Sequence, residues 1–257
     1  MTLETCAYCP RLCRHVCPVA VGAAREAATA TSMATVALLV SRRAQPVELG
    51  HAATSLCLGC GACTSHCAVH QPVAELLRPY RARTAAEPLA PIDGDARVVC
   101  VVTARDWSGA FGRREAIAVA RLRTGDALGH AAWRNGDDAV VPRLAAHLKG
   151  REIVTASGAV AAVAAAAGIA VRRLGTPAAA RTFTTCHEGP RWGVAQLACC
   201  GRREGFPERE PEAARRMAEE NVRRLAGARV AVGDEECAAW LRAHGADVVD
   251  PADVFGA

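Results

Sequence analysis

The sequence is poor in aromatic residues, which make up only 4% of its 257 residues. Its core must therefore consist mainly of alanine, valine and leucine, and the 51% of hydrophobic residues suffices for one large domain or two ordinary ones. Long apolar runs are also missing, since the longest, Ala159–Val171, is too short to span a bilayer. The first residues, MTLETCAYC, lack the basic and apolar regions of a secretory signal peptide. We therefore expect a cytoplasmic protein without a transmembrane segment.

Motifs for nucleotide binding and for common catalytic mechanisms are missing as well. The chain has no P-loop, no Gly-x-Gly-x-x-Gly opening a helix, no Gly-x-Ser-x-Gly and no paired carboxylates near a histidine. The formal net charge is +5, but the arginines are scattered and have no aromatic residues between them on which bases could stack. We therefore expect neither a bound organic cofactor nor nucleic-acid binding.

Cysteine, in contrast, is abundant, with thirteen residues, eight of which lie in two short runs. The first run, CAYCPRLCRHVC, spans Cys6 to Cys17, and the second, CLGCGACTSHC, spans Cys57 to Cys67. Gaps of two and three residues allow one loop or helical turn to present several thiolates to a single cluster, and the second run matches the bacterial ferredoxin signature. This spacing predicts two [4Fe-4S] sites and an electron carrier.

Zinc and disulfides are the alternative explanations for the cysteine runs. Structural zinc is usually bound by two separated pairs of ligands, whereas each run here already contains four cysteines. Disulfide frameworks are typical of small secreted chains, and thirteen is an odd number of cysteines. Both alternatives fit the pattern less well than iron-sulfur clusters do.

The pattern of hydrophobic residues divides the chain near residue 90. Before this point it predicts helices at Ala23–Arg43, Val47–Ser55 and Val73–Arg83 and no strand. The segment Glu87–Asp95, EPLAPIDGD, reads as a linker because it contains two prolines and a glycine.

Beyond the linker, short apolar strands alternate with helices, which predicts a mostly parallel sheet covered by helices. The predicted strands are Val98–Thr103, Glu152–Thr155, Ala170–Leu174, Arg181–Thr185, Arg229–Val232 and Asp247–Val249. The predicted helices are Arg114–Arg123, Asp138–Lys149, Gly158–Ala167, Pro211–Leu225 and Glu235–Ala243. The expected fold class is α+α/β, with an all-helical domain at 1–88 and an α/β domain at 96–257. The order of elements suggests that the second domain consists of two degenerate halves, 96–176 and 177–257.

The C-terminal part carries a second group of cysteines: Cys186, the adjacent pair Cys199 and Cys200 followed by Gly201, and Cys237. A vicinal pair followed by glycine places two thiolates on a permissive backbone. With the two N-terminal runs, this pattern resembles the CCG-domain iron-sulfur proteins, which are related to heterodisulfide reductase and include iron-sulfur subunits of glycerol-3-phosphate dehydrogenase and of glycolate and lactate oxidases. In that family a helical dicluster ferredoxin domain precedes a cysteine-rich CCG domain. The resemblance covers nearly the whole chain.

The resemblance implies a ligand set for each cluster by the cross-ligation of two-cluster ferredoxins. One [4Fe-4S] cluster would be held by Cys6, Cys9, Cys13 and Cys67. The other would be held by Cys57, Cys60, Cys63 and Cys17. A third metal site, for an iron-sulfur cluster or zinc, would use Cys186, Cys199, Cys200 and Cys237. Trp240 replaces the last cysteine of the family pattern, which leaves a metal site, a redox-active dithiol and an evolutionary remnant open as interpretations.

The resemblance also implies a function. The chain would be a subunit that relays single electrons between a flavoprotein dehydrogenase and a downstream acceptor, with no catalytic residue of its own. One alternative is a catalytic subunit that reduces a heterodisulfide or a quinone at the C-terminal cysteines. Another is a zinc-stabilised structural subunit. Any association with a membrane would then occur through a partner protein.

Overall fold

The protein combines helices with parallel strands, as expected for a mixed α and β chain. The computed structural model describes residues 2–10, 12–82, 89, 98–102, 118–121, 128–129, 132–133, 135–155, 158–173, 181–183, 199–202, 205–232 and 234–249. Cys186 and all of the predicted linker except Leu89 lie outside these residues. Within the described ranges, no helix has both the length and the apolar character needed to cross a membrane.

The helices among these residues are, in chain order, α1 (Leu3–Ala7), α2 (Pro18–Ala23), α3 (Ala30–Ser41), α4 (Val47–Thr54), α5 (Ala62–His66), α6 (Val73–Leu77), α7 (Val140–His147), α8 (Gly158–Ala166), α9 (Phe206–Arg209), α10 (Pro211–Leu225) and α11 (Glu235–Ala243). Short 3-10 turns cover Leu12–His15, Glu26–Ala28 and Arg78–Tyr80. The predicted spans of α10 and α11 are confirmed to the residue. The single helix predicted from Ala23 to Arg43 is instead a 3-10 turn followed by α3.

In the described residues the strands are β1 (Val98–Val102), β2 (Ala118–Arg121), β3 (Glu152–Thr155), β4 (Ala170–Arg173), β5 (Arg181–Phe183) and β6 (Val230–Val232). The first four form a parallel sheet in the order β2-β1-β3-β4, in which Val99 lies beside Ala118 on one side and Ile153 on the other. β5 and β6 form a separate parallel pair. The parallel pairing expected from alternating strands and helices is confirmed for these strands.

Two predicted elements differ in the structure. The helix predicted at Arg114–Arg123 is wrong over Ala118–Arg121, which is strand β2. A short apolar run fits the periodicity of a helix or of a buried strand, and here the hydrogen bonds to β1 decide the outcome. The strand predicted at Asp247–Val249 is reduced to a single bridge between Val248 and Val230.

The contacts between residues divide the chain into two compact units. The first comprises Met1–Ala82, Thr184–Gly227 and Ala243–Gly245. The second comprises Arg83–Phe183, Ala228–Arg242 and Ala246–Ala257. Helix α10, which follows the CysCysGly triplet in sequence, therefore belongs to the same unit as both N-terminal cysteine runs.

Each unit has its own hydrophobic core. In the first unit, α3 packs against α1 and α4, and its Met33 and Ala37 are at most 1% exposed. In the second unit, the core consists of aliphatic side chains from α7, β3, α8 and their flanking turns: Leu128, Ala132, Val140, Leu144, Leu148, Ile153, Val160, Val163 and Ala164. The buried core of the second unit is thus aliphatic, as the composition predicts, and the partly buried Trp133 packs against it.

The first unit also contains a close helix pair, α2 against α10. A Cβ atom at Gly22 of α2 would lie 2.5 Å from the carbonyl oxygen of Ala213 and 2.6 Å from Cγ of Met217. No side chain larger than hydrogen fits at this crossing without a shift of α10. At one end of the pair, the guanidinium of Arg25 donates a 2.8 Å hydrogen bond to Glu210.

Candidate metal centre

The first cysteine run is distributed over three short elements of the first unit. Cys6 lies in α1, Cys13 lies in the Leu12–His15 turn, and Cys17 is the residue that precedes α2. Pro18 is the first residue of α2, a position at which proline is favoured because the missing N–H would have no helical partner. The Cys-Pro pair therefore ends the run and begins a helix at one point.

The second run is a glycine-containing loop that leads into α5. Gly59 has φ 58° and Gly61 has φ 74°, a left-handed conformation that glycine adopts without steric strain. This path allows the N–H of Gly59 to donate a 3.4 Å hydrogen bond to Sγ of Cys57. Cys63 lies in α5, and Cys67 is the residue at which this helix ends.

Packing within the first unit brings the two runs together. Helix α5 of the second run contacts the Leu12–His15 turn of the first. Beyond the second run, the side-chain amide of Gln71 donates a 3.3 Å hydrogen bond to the carbonyl oxygen of Thr2, just before α1. The runs are about forty residues apart in sequence, so helices α3 and α4 return the chain to the first run.

Four of the eight thiols line one cavity. The cavity is open and has a volume of about 370 Å³, which includes its solvent-facing mouth. Its cysteines are Cys17, Cys57, Cys60 and Cys63. The other side chains that line it are apolar and include Val19, Met33, Leu58 and Val73. One cysteine from the first run and three from the second thus face the same space.

The other four thiols also form a group, as shown by their effect on Cys6. Burial and, after it, three nearby thiols together raise the pKa of the Cys6 thiol to about 11, because burial disfavours the thiolate and negative charges close together repel. Those three neighbours are Cys13, Cys67 and Cys9. Here three cysteines of the first run meet the last cysteine of the second.

The cavity thiols affect one another in the same way. Burial raises the pKa of Cys17 to about 12, and the nearby Cys60 and Cys57 contribute to this shift. The pKa of Cys63 is also held far above its ordinary value, first by burial and then by its thiol neighbours Cys57, Cys60, Cys17 and Cys13. Because Cys13 belongs to the other group, the two groups of thiols adjoin each other.

These two groups have the same members as the two ligand sets that the resemblance implies. Within the part of the chain that the structure describes, no three His, Cys, Asp or Glu side chains form a group that could hold a single metal ion. A [4Fe-4S] cluster has a different requirement, since each of its four cysteines binds a different iron atom. The four thiols around the apolar cavity supply the number and type of ligands that such a cluster requires.

The vicinal cysteines lie in the first unit and are buried. Cys199 and Cys200 are each 1% exposed, and the amide nitrogen of Asn221, on α10, donates a 3.0 Å hydrogen bond to the carbonyl oxygen of Cys199. Gly201 has φ 97°, which places the N–H of Arg202 3.4 Å from Sγ of Cys200. Sγ of Cys57 accepts a hydrogen bond of the same length from the N–H of Gly59, which also lies two residues later in the chain. Cys200 therefore has the local geometry of a candidate cluster ligand.

The structure does not test the remaining members of the third predicted set. Cys237 belongs to the second unit, where it is 6% exposed in α11 and its N–H donates a 3.1 Å hydrogen bond to Oδ1 of Asp234. Cys186 lies outside the described residues. The third set therefore stays a prediction.

Some residues that shape the centre carry no signal in the sequence. The hydroxyl oxygen of Thr31, on α3, lies 3.6 Å from Sγ of Cys13, and Asn221 fixes the backbone of the vicinal cysteines. Both contacts join residues at least eighteen positions apart, so no local motif contains them.

Comparisons of the chain with protein-family models, with curated proteins and with solved structures found no match.

The raised thiol pKa values predict how the metal-free chain responds to pH. Because the folded-state pKa values of Cys6 and Cys17 lie near 11 and 12 instead of 9.0, the unfolded chain loses these protons first as the pH rises. Their contribution to stability is fully present below about pH 9 and is lost between about pH 9 and pH 12. We expect the urea midpoint of the metal-free, reduced chain to fall over this range. The urea midpoint of the Cys17→Ser variant should depend less on pH than that of the wild type. An equal dependence would contradict a raised pKa at Cys17.

Proposed function

We propose that the chain is an iron-sulfur electron carrier with two [4Fe-4S] clusters. The observation that carries the proposal is the cavity lined by Cys17, Cys57, Cys60 and Cys63, which joins thiols from both runs. The clusters supply reversible one-electron chemistry when bound. The chain itself provides the thiolates and fixes the spacing of the two sites. The apolar side chains that line the cavity limit the access of water.

The relation between the two thiol groups supports a relay. Cys13, from the group around Cys6, is a close neighbour of Cys63, from the cavity group. The adjoining ligand sets would hold two clusters next to each other, and two adjacent one-electron centres are what a relay requires. Like the CCG-domain iron-sulfur proteins that its sequence resembles, the chain then connects a flavoprotein dehydrogenase with a downstream acceptor.

The burial of the vicinal pair favours relay over disulfide reduction. A thiol that attacks a substrate disulfide must be accessible and must form a thiolate. Cys199 and Cys200 are each only 1% exposed, although the N–H of Arg202 supports a thiolate on Cys200. We therefore assign these residues no catalytic role in the proposed function.

Metal analysis tests the proposal directly. After anaerobic reconstitution and desalting, we expect about eight irons and about eight acid-labile sulfides per chain, four of each per cluster. The visible absorbance should bleach on addition of dithionite. About twelve irons would instead support a third cluster at the C-terminal cysteines. Markedly fewer than eight irons, or stoichiometric zinc with no bleaching, would overturn the two-cluster proposal.

A further inference from the structure

A buried hydroxyl group faces one of the two candidate cluster sites. Thr31 is 2% exposed and lies in the first turn of α3, next to the Leu12–His15 turn that carries Cys13. Its Oγ1 is 3.6 Å from Sγ of Cys13, within the range of a hydrogen bond to sulfur. The fold of the first unit therefore places a neutral side-chain donor beside a candidate cluster ligand.

The direction of this hydrogen bond follows from the chemistry of the ligand. In the metal-free chain either atom could be the donor. A cysteine bound to iron is a thiolate and has no proton to give, so the hydroxyl of Thr31 must then donate. A hydrogen bond to a cluster sulfur stabilises negative charge there, and the reduced cluster carries one more negative charge than the oxidised cluster. The bond therefore favours the reduced form.

Two cysteines of the cavity set, Cys57 and Cys17, have other polar contacts. The sulfur of Cys57 accepts from the backbone N–H of Gly59, a donor that side-chain substitution does not remove. The Cys17 thiol faces the carbonyl oxygen of Ala28 at 3.7 Å, an acceptor that cannot stabilise a thiolate. The hydroxyl of Thr31, in contrast, is a side-chain donor beside the site around Cys6, and substitution can remove it.

We propose that the hydroxyl of Thr31 is a positioning group that raises the reduction potential of the cluster held by Cys6, Cys9, Cys13 and Cys67. This inference rests on the proposed function, because it requires clusters at both sites. It goes further by assigning a polar contact that distinguishes the two sites. Removing the hydroxyl should make this site harder to reduce and should leave the cavity site unchanged.

The test compares Thr31→Val, which replaces the hydroxyl with a methyl group of similar size, with Thr31→Ser, which retains the hydroxyl. The matched control is Thr35→Val, one helical turn further along α3. The hydroxyl of Thr35 donates a 2.9 Å hydrogen bond to the carbonyl oxygen of Thr31 instead of to a sulfur. The full-length chains are reconstituted anaerobically, their iron and sulfide are measured, and their midpoint potentials are determined by redox titration followed by electron paramagnetic resonance.

We expect Thr31→Val to shift one of the two midpoint potentials to a more negative value. Thr31→Ser should keep this potential close to that of the wild type, and Thr35→Val should leave both potentials unchanged. An unshifted Thr31→Val potential, or equal shifts at both sites, would overturn the inference while the two clusters remain established. An equal shift in Thr35→Val would assign the effect to the structure of α3 and would also overturn it. A wild-type chain with markedly fewer than eight irons would instead overturn the proposed function itself.

Discussion

Replacing Cys63 with serine should remove about half of the iron from the reconstituted chain. Cys63 lines the cavity with Cys17, Cys57 and Cys60, and these neighbouring thiols help to raise its pKa in the metal-free chain. A serine hydroxyl is a poor substitute for a thiolate ligand at neutral pH, so the cavity site loses its cluster. The site around Cys6 keeps its four thiols. We expect iron to fall from about eight to about four per chain, with one of two reducible centres remaining.

The matched control for this experiment is Cys237→Ser. Cys237 is also a buried thiol on a short helix, but it lies outside both cysteine runs. This variant should retain about eight irons per chain. Retention of eight irons by Cys63→Ser would contradict the ligand assignment. Loss of all iron from a chain that remains folded would show that the two sites do not assemble independently.

The cysteine runs could be recognised from sequence because their chemistry is encoded by short spacings. Two glycines with positive φ and a Cys-Pro pair at the start of α2 are local features, and the sequence displays all of them. The pairing of the runs is not local. It requires α3 and α4 to return the chain so that α5 meets the Leu12–His15 turn, and only the general pattern of helices was available to predict this.

Helix α10, which has a strong pattern, was predicted to the residue, whereas the short segment Ala118–Arg121 was predicted wrongly. Helix α10 has a charged face, on which Glu212 pairs with Arg215 and Glu220 pairs with Arg223, opposite a buried face that includes Met217. The two faces determine its period, and Pro211 marks its first turn. Ala118–Arg121 has no such pattern, and its pairing with β1 determines that it is a strand.

The position of the CysCysGly triplet could not be read from the sequence at all. Its residues lie in the same compact unit as residues more than a hundred positions earlier in the chain, and α10 contacts α2 through Gly22. A glycine at a helix crossing looks the same in sequence as a glycine in a loop. The sequence suggested a metal role for the triplet. The structure shows a second role, since Gly201 packs closely against α10.

Replacing Gly201 with alanine should destabilise the protein strongly. Gly201 has φ 97°, and a left-handed conformation costs an alanine about 1–2 kcal/mol. Its new Cβ would also lie 2.7 Å from the carbonyl oxygen of Ala214 and 3.2 Å from Cβ of Met217, both on α10. Overpacking of this kind adds about 1–3 kcal/mol. At about 2–4 °C per kcal/mol, we expect a fall in Tm of roughly 4 °C or more.

The matched control is Gly227→Ala, which separates backbone strain from packing. Gly227 has φ 73°, but a Cβ at this position would meet nothing within 4 Å. The Gly227→Ala variant should therefore lose about 1–2 kcal/mol of stability, from backbone strain alone. The two cluster-loaded variants are compared with the wild type in anaerobic thermal scans at the same scan rate. A Tm for Gly201→Ala that matches the Tm for Gly227→Ala would contradict the close approach of the CysCysGly triplet to α10. A clearly lower Tm for Gly201→Ala would mean that this glycine is required by packing against α10, independently of whether the adjacent cysteines bind metal.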